Sequence, residues 1–500
     1  MTKRFVTRGT VCIAALLAGG MAQADVTAQD VWDDWKAQMS LYGDDGLTIG
    51  AEEVSGDTIT VRDLAINYSD DEVTLVSDLG DLVFEGRSDG TVAISMAESY
   101  PMTITAEDGT VVNILVTQSG LEMIVSGDPD AMNFDLTADQ YQVALVDIVS
   151  GDVTLAGDAR LTANDIAGSY TSTTGDMRNM TYDMTLASVD LLIDFQMPGG
   201  AGEYLTAAAK YTDMSVNGEV TIPEDADFEK PEELFAAGFG FSGGYEIAKG
   251  EFVMDTNADG DQFAASGTNG AGSLTAEFSS ERVSYDADVN DVAMSIRSSD
   301  FPMPIDISMA RYGFGIDIPT GAMEEAGDLG LRIDLVDVAI SDAIWGMFDP
   351  GAVLPRDPAT IQIELAGKAK TLINIFDPEQ AAMMGDDDMP YELQSMNLET
   401  LNISVAGAQV TGEGAFTFDN SDMQTFAPMP RPEGEATIEI SGLNALLDNL
   451  VAAGLVPADQ VMGPRMMMGM FMRNTGDDQM ATTVEVTPSG AVNVNGNRVR

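Results

Sequence analysis

Apolar and polar residues alternate in short runs along most of this chain. Thr58-Ile59-Thr60-Val61-Arg62 and Thr91-Val92-Ala93-Ile94-Ser95 put every second side chain on one apolar face, and Val111 to Thr117 and Gly120 to Ser126 do much the same. Between the runs stand Asp89-Gly90, Asp108-Gly109, Ser119-Gly120 and Gly127-Asp128-Pro129, which are turn formers. Punctuation at roughly 8–12 residues indicates an antiparallel sheet, sandwich or barrel, not βαβ units. No long helical patterns alternate with these runs, which argues against a doubly wound nucleotide-binding fold. A second strand-rich stretch covers Phe239 to Ile318. Further strands are expected at Ile361 to Leu365, Leu401 to Ala406, Ala415 to Phe418 and Ala436 to Ile440. Ala481 to Val486 and Ala491 to Val494 form a closing hairpin across Pro488-Ser489-Gly490. The pattern predicts a mainly β protein: a large antiparallel, curved sheet or sandwich-like array with a few capping helices.

Two stretches have helical spacing instead. In Thr27 to Tyr42, Val31, Trp35 and Met39 recur at i, i+4 and i+8 with Trp32 beside them, Thr27 is a good N-cap, and Asp30 sits near the positive helix end. In Ser441 to Asn474, Leu443, Leu446, Leu447, Leu450 and Val451 form one stripe. Ser441 is placed to cap it, and Gly454 stands where a left-handed residue ends a helix. Pro457 then suits the first turn of a second helix, which is apolar on nearly every side from Met466 on. Such a helix requires cover from protein, ligand or lipid. The plain reading is a helical hairpin packed on the sheet with Met filling gaps; the sharper one is a lid or wall over an apolar groove. A thioether site for Cu(I) is a third reading, with no His or Cys to assist. Ser341 to Phe348 and Thr371 to Met384 read as short helical turns. The acidic Pro223 to Gly238, with a short helix from Pro231, separates a β-rich half at 25–222 from another at 239–500. The two halves share a strand-rich texture without an exact internal repeat.

Residues 1–24 read as an export signal. Lys3, Arg4 and Arg8 precede a short apolar core, and Ala22-Gln23-Ala24 is a small-residue cleavage site. That core is well short of the ~20 residues that span a bilayer. The expected location is therefore periplasmic or secreted, with no transmembrane anchor after cleavage. The chain has 23 Lys plus Arg, 82 Asp plus Glu, no His and one Cys, Cys12, inside the signal. Beyond the signal the balance is 20 − 82 = −62. This excludes nucleic acid as a partner, which needs clustered cations, and argues against docking on anionic headgroups through basic segments. Without mature Cys there are no disulfides, so packing supplies the stability.

The missing His and Cys also remove the commonest general base, thiol nucleophiles and zinc–thiolate sites. Gly240-Phe241-Ser242-Gly243-Gly244 fits the G-x-S-x-G elbow, but no imidazole exists to take the Ser242 proton. Asp255, Asn257, Asp259 and Asp261, with Gly260, match the first half of a calcium loop; the position that should carry a bidentate Glu is Ser266, and a hairpin turn explains the stretch as well. No cofactor is expected, with calcium at this loop as the alternative. Asp386-Asp387-Asp388 reads as a solvated acidic loop. Carboxylate pairs for glycoside chemistry are uninformative among so many acids.

Several blocks resemble a family of exported alphaproteobacterial proteins, domain of unknown function 2125. They are ADVTAQDVWDDW at Ala24 to Trp35, SGDTITVRDL at Ser55 to Leu64 and SGDPDAMNFDLTAD at Ser126 to Asp139, then DFPMPIDISMARYGFGIDIP at Asp300 to Pro319, AIWGMFDPGAVLPRDPATIQIELAGKAK at Ala343 to Lys370 and SGAVNVNGNRVR at Ser489 to Arg500. The resemblance implies compartment and architecture; the family has no assigned catalytic residues. In texture the chain is also similar to envelope proteins whose long curved sheets hold lipid in an apolar groove, an analogy at the level of fold. The expectation is a non-enzymatic envelope protein that holds or screens a lipid, another apolar partner or an envelope protein. The alternative is an acidic structural or calcium-binding surface protein without catalysis.

Overall fold

The computed structural model describes residues 26–40, 46–69, 72–155, 157–196, 202–223, 230–258, 260–301, 303–322, 324–377 and 390–500, with residues 226, 380 and 382–384 between them. The expected signal at 1–24, Asp259 and Asp386-Asp387-Asp388 lie outside the described residues. Strands make up 66% of the chain and helices 10%, so ladder pairing rather than helix packing sets the architecture. The fold is mainly β, as expected. One 28-stranded sheet is antiparallel at every pairing, and among the described residues no pairing joins its first strands to its last. The ladder also runs on across the acidic connector, where Tyr204–Pro223 pairs with Gly240–Ile247 and Lys249–Ala258.

The sheet is a meander of long strands with two similar interruptions. The first lies between Val73–Gly86 and Ala131–Ser150. Val92–Ser95 and Ser99–Ala106 pair with the two ends of the former strand, while Glu122–Asp128 and Val111–Ser119 pair with the two ends of the latter. The second lies between Tyr204–Pro223 and Arg282–Ser298. Here Gly240–Ile247 and Lys249–Ala258 share the first strand, and Gly272–Phe278 and Asp261–Asn269 share the second. The order of halves is the same in both, a structural repeat beneath a sequence without an exact one.

A seam crosses the long strands. Asp63, Asp165, Asp213, Asp291 and Asp337 adopt left-handed backbone, with φ of 48°, 48°, 51°, 51° and 54°. Asp tolerates this conformation better than most L-residues because its short side chain can bond locally. Each is followed by an aliphatic and then a small residue: Leu64-Ala65, Ile166-Ala167, Met214-Ser215, Val292-Ala293 and Val338-Ala339. The register aligns them. Asp165, Ala187 and Asp213 fall between the same pairs on three adjacent strands, and Asp291, Ala310 and Asp337 do so on another three. Neighbours leave room: a Cβ at Gly120 would lie 2.5 Å from Asp139 Oδ2, on the same line. At the seam the apolar alternation changes phase. In Met177–Gln196 the apolar residues are Met180, Tyr182, Met184 and Leu186 before Ala187, then Val189, Leu191, Ile193 and Phe195 after it. At Asp63 the same change of phase keeps Ile59, Val61 and Leu64 in one buried core.

The largest buried core gathers at the N-terminal end. Helix α1 (Ala28–Ser40) lays Val31 and Trp32, both 0% exposed, onto Leu64, Leu82, Phe84, Val92, Val125 and Phe134. Its start is a reciprocal cap: Asp30 N–H donates to Thr27 Oγ1 at 3.2 Å, and Thr27 N–H to Asp30 Oδ2 at 2.9 Å. Arg178 anchors α1 to the sheet by bonding Asp34 at 2.6 Å and Ser172 at 2.8 Å.

The other described helices are α2 (Pro231–Ala236), α3 (Asp342–Phe348), α4 (Leu443–Ala452) and α5 (Met462–Phe471). The expected helical hairpin is present as α4 and α5, with three corrections. Ser441 ends a strand and does not cap α4; Asp478 does, accepting from the N–H groups of Asn444 at 3.1 Å and Ala445 at 3.0 Å. This cap comes from another hairpin, which short-range sequence spacing does not reveal. Pro457 opens a turn, and α5 starts five residues later. Nor does Met fill gaps throughout α5: Met468 is buried, but most of its other apolar side chains are exposed. Gly454 is left-handed with φ 72°, as expected after α4.

Candidate functional site

Following the register across the sheet, rather than along the chain, reveals an apolar row. From Phe134 it passes through Tyr170, Tyr182, Gly218, Gly243 and Ala276. It continues through Tyr285, Ile316, Leu331, Leu365 and Leu398. Two residues along each strand, a second row carries Met184, Val216, Leu274, Phe314, Ile333 and Ile363. Paired residues share a face and successive residues alternate, so these rows form one apolar surface. The row between them, on the opposite face, contains Asp183, Asn217, Thr275, Asp286, Arg332 and Glu364.

Burial along the row is uneven. Phe134 is fully covered beneath α1, and Tyr170 stacks on it at 4.1 Å with the rings 7° apart. From Tyr182 to Leu398 every member is only half-buried. Gly218 lets Tyr182 lie across the row, since a Cβ there would meet the phenol oxygen at 2.4 Å. Burial pushes the Tyr170 hydroxyl well above its usual range, with the Asp34 charge adding and the Trp35 hydrogen bond opposing, so it stays protonated and neutral.

Beyond the seam lies a cavity of about 1040 Å³, bordered by three consecutive residues on each of seven neighbouring segments, from Asp190–Leu192 to Ala339–Ser341. Small residues such as Ala208, Ser266, Gly267, Ala293 and Ser295 leave the space. Leu192, Phe252, Val253, Met294 and Ile307 make its border amphipathic. Of its charged residues, Asp190, Glu251 and Asp306 outnumber Arg160 and Lys210. Lys210 is taken up by Asp190 at 2.7 Å, and Asp190 also accepts from Ser188 at 2.8 Å and Asn164 at 2.9 Å. Burial acts to raise the Asp190 pKa, but the hydrogen bonds from Lys210 and Ser188 outweigh it and hold the carboxyl below its usual range. Ser341 Oγ, at the cavity edge, is buried without a hydrogen-bond partner among the described residues.

On the polar face Arg332 bridges Asp286 at 2.9 Å, Asp288 at 2.7 Å and Asp334 at 2.7 Å. Arg311 joins Asp288 at 2.5 Å. Burial would raise the Asp288 pKa, yet the bonds from Arg332 and Arg311 bring it below the ordinary carboxylate range.

Of the residues singled out in the sequence, the described ones do not converge. Asp255 pairs with Ala264 and Asn257 with Gln262 on one face, while Asp261 pairs with Ala258 on the other. Asp255 accepts from Tyr204 Oη at 2.5 Å, and Asn257 donates to the Gly202 carbonyl at 2.9 Å. Among the described residues no group of three or more carboxylates is arranged to hold a metal ion. Ser242 lies within the strand Gly240–Ile247, paired to Glu219 and Glu277, with no strand–turn–helix elbow around it. The apolar row went unread in the sequence because cross-strand register is nonlocal. The recurring Asp–aliphatic–small triplet is the signal that could have located the seam.

Among the described residues no helix is long and apolar enough to cross a membrane. No curated protein and no solved structure matches the chain. A family match spans residues 246–492, taking in the blocks at 300–319 and 343–370 and leaving those at 24–35, 55–64 and 126–139 outside it. Over residues 246–492 the chain thus belongs to DUF2125, a family described as an uncharacterized protein conserved in bacteria.

Proposed function

We propose that this protein holds the acyl chains of a lipid along the apolar rows of its sheet, outside the cytoplasm and without catalysis. One observation carries the reading: the row from Phe134 to Leu398 is uninterrupted, yet fully covered only near α1. An apolar sheet face needs a second layer. A flexible hydrocarbon chain supplies one at about 0.8 kcal/mol per buried CH₂. The cavity beyond the seam suits the other end of an amphiphile. Its apolar walls, many hydroxyls and excess of carboxylates favour a hydroxylated or amine-bearing headgroup over a phosphate. Native mass spectrometry of protein purified from membranes tests this. A lipid adduct released on collisional activation is expected; protein that stays empty after incubation with lipid extract would sink the proposal.

A further inference from the structure

Helix α5 presents an apolar surface that the sheet does not cover. Met462 is 69% exposed, Met466 65%, Met467 56%, Met470 66% and Phe471 38%. At about 100° per residue, these five side chains occupy roughly half the helix circumference. The other half is tied down. Met468 is buried, and Arg465 reaches the Asn444 carbonyl at 3.2 Å and Asp448 at 2.7 Å on α4. Beyond α5 the Phe471 carbonyl accepts from Thr482 Oγ1 at 2.9 Å and Asn495 Nδ2 at 2.8 Å, fixing the helix to the closing strands. The exposed arc is therefore held out by an ordered base.

Charge singles out the same end. Residues 462–500 contain four Arg and three acidic residues, so their side chains sum to 4 − 3 = +1. The other 461 residues sum to (23 − 4) − (82 − 3) = −60. A bacterial bilayer with anionic headgroups repels most of this molecule once the separation falls within a Debye length of about 10 Å; the repulsion is weaker at this end, where Arg465 offsets Asp448 of α4 and Glu433, Glu435 and Glu439 stand on the adjoining strand. Half the envelope of a ten-residue helix, about 15 Å long and 10 Å across, is roughly 250 Å². That is far below the roughly 800 Å² per partner of a stable protein interface, but adequate for insertion of apolar side chains at a headgroup boundary.

We propose that α5 is a bilayer-docking tip. Its Met–Phe arc enters the interfacial layer of a phospholipid membrane while the acidic sheet stands away from it. The contact requires no cargo in the sheet, so docking and lipid holding can fail separately.

Flotation of the full chain with vesicles of phosphatidylethanolamine and phosphatidylglycerol tests the inference. The wild type should float with the vesicles. Met466→Asp/Met470→Asp should bind at least about tenfold more weakly, because charges resist entry into the apolar layer. Both positions are solvent-exposed, so unchanged circular dichroism and melting are expected in the variant. Phe471→Trp provides an independent readout, with emission shifting blue and quenched by brominated lipid. Added NaCl should strengthen binding by screening the repulsive sheet. Equal flotation of wild type and double variant, an unshifted Trp, or loss of binding in salt would each overturn the tip. So would a wild-type dimer by light scattering that the double variant dissociates, with no flotation of either. Retention of lipid by the double variant in native mass spectrometry is expected, separating this test from that of lipid holding.

Discussion

Phe278 offers a direct measure of what the apolar face is worth to a bound chain. It continues the surface through Phe241 and Val283 and remains 39% exposed. A Phe side chain presents roughly 200 Å², so about 80 Å² remains open for contact. At about 25 cal/mol/Å², covering that area contributes about 2 kcal/mol, or about 30-fold in affinity. Phe278→Ala should weaken binding of a fluorescent fatty acid by up to that factor, read as a shift in the displacement midpoint. Phe278→Asp should weaken it further, because a charge would have to be desolvated against alkyl chain. Asn217→Asp adds the same charge on the opposite, exposed face, two pairings away through Gly244 and Thr275. It should leave binding within about twofold, the usual range for surface changes away from special features. Equal losses from Phe278→Asp and Asn217→Asp, or wild-type affinity in Phe278→Ala, would refute face-specific holding.

The seam, the α4 cap and the arginine bridge give further tests. Asp291→Val should cost about 1–2 kcal/mol in urea unfolding because Val resists left-handed backbone, whereas Asp291→Gly should cost much less; similar losses would contradict a conformational origin. Asp478→Ala should remove about 1 kcal/mol by stripping the borrowed cap, seen as faster amide exchange at Asn444 and Ala445, and unchanged exchange would reject the assignment. The Asp190 and Asp288 carboxyls lie below their unfolded values, so their contribution is present above the unfolded pKa of about 3.9 and is lost as pH falls through the folded values. Melting temperature should therefore drop below about pH 4, and a flat acid limb would disprove the coupling. Arg332→Ala, which leaves Asp288 and Asp334 with Arg311 alone, should cost about 1–2 kcal/mol and move that limb to higher pH.

What the sequence disclosed was local. The two-residue alternation in Thr58 to Arg62 became strand because the same face had to bury Ile59 and Val61, and Thr27 with Asp30 marked the start of α1 within one turn. Gly454 was readable for a similar reason: its left-handed backbone is a one-residue property. The α4 cap was hidden because Asp478 lies more than thirty residues beyond the amide groups it caps. The row from Phe134 to Leu398 was hidden more deeply, since each member is an ordinary apolar strand residue until register sets them side by side. Helix α5 shows a further limit. Its composition announced an apolar helix, but whether an apolar residue is covered depends on what the rest of the chain leaves beside it.

A meander grows sideways without having to close. Phe134 and Leu398 stand ten strand spacings apart, about 48 Å at about 4.8 Å each, against a bilayer hydrocarbon thickness of about 30 Å. Inserting or deleting an antiparallel pair would alter that span by about 10 Å while leaving both ends intact. Reach is therefore a quantity that evolution, or a protein engineer, can adjust in whole hairpins.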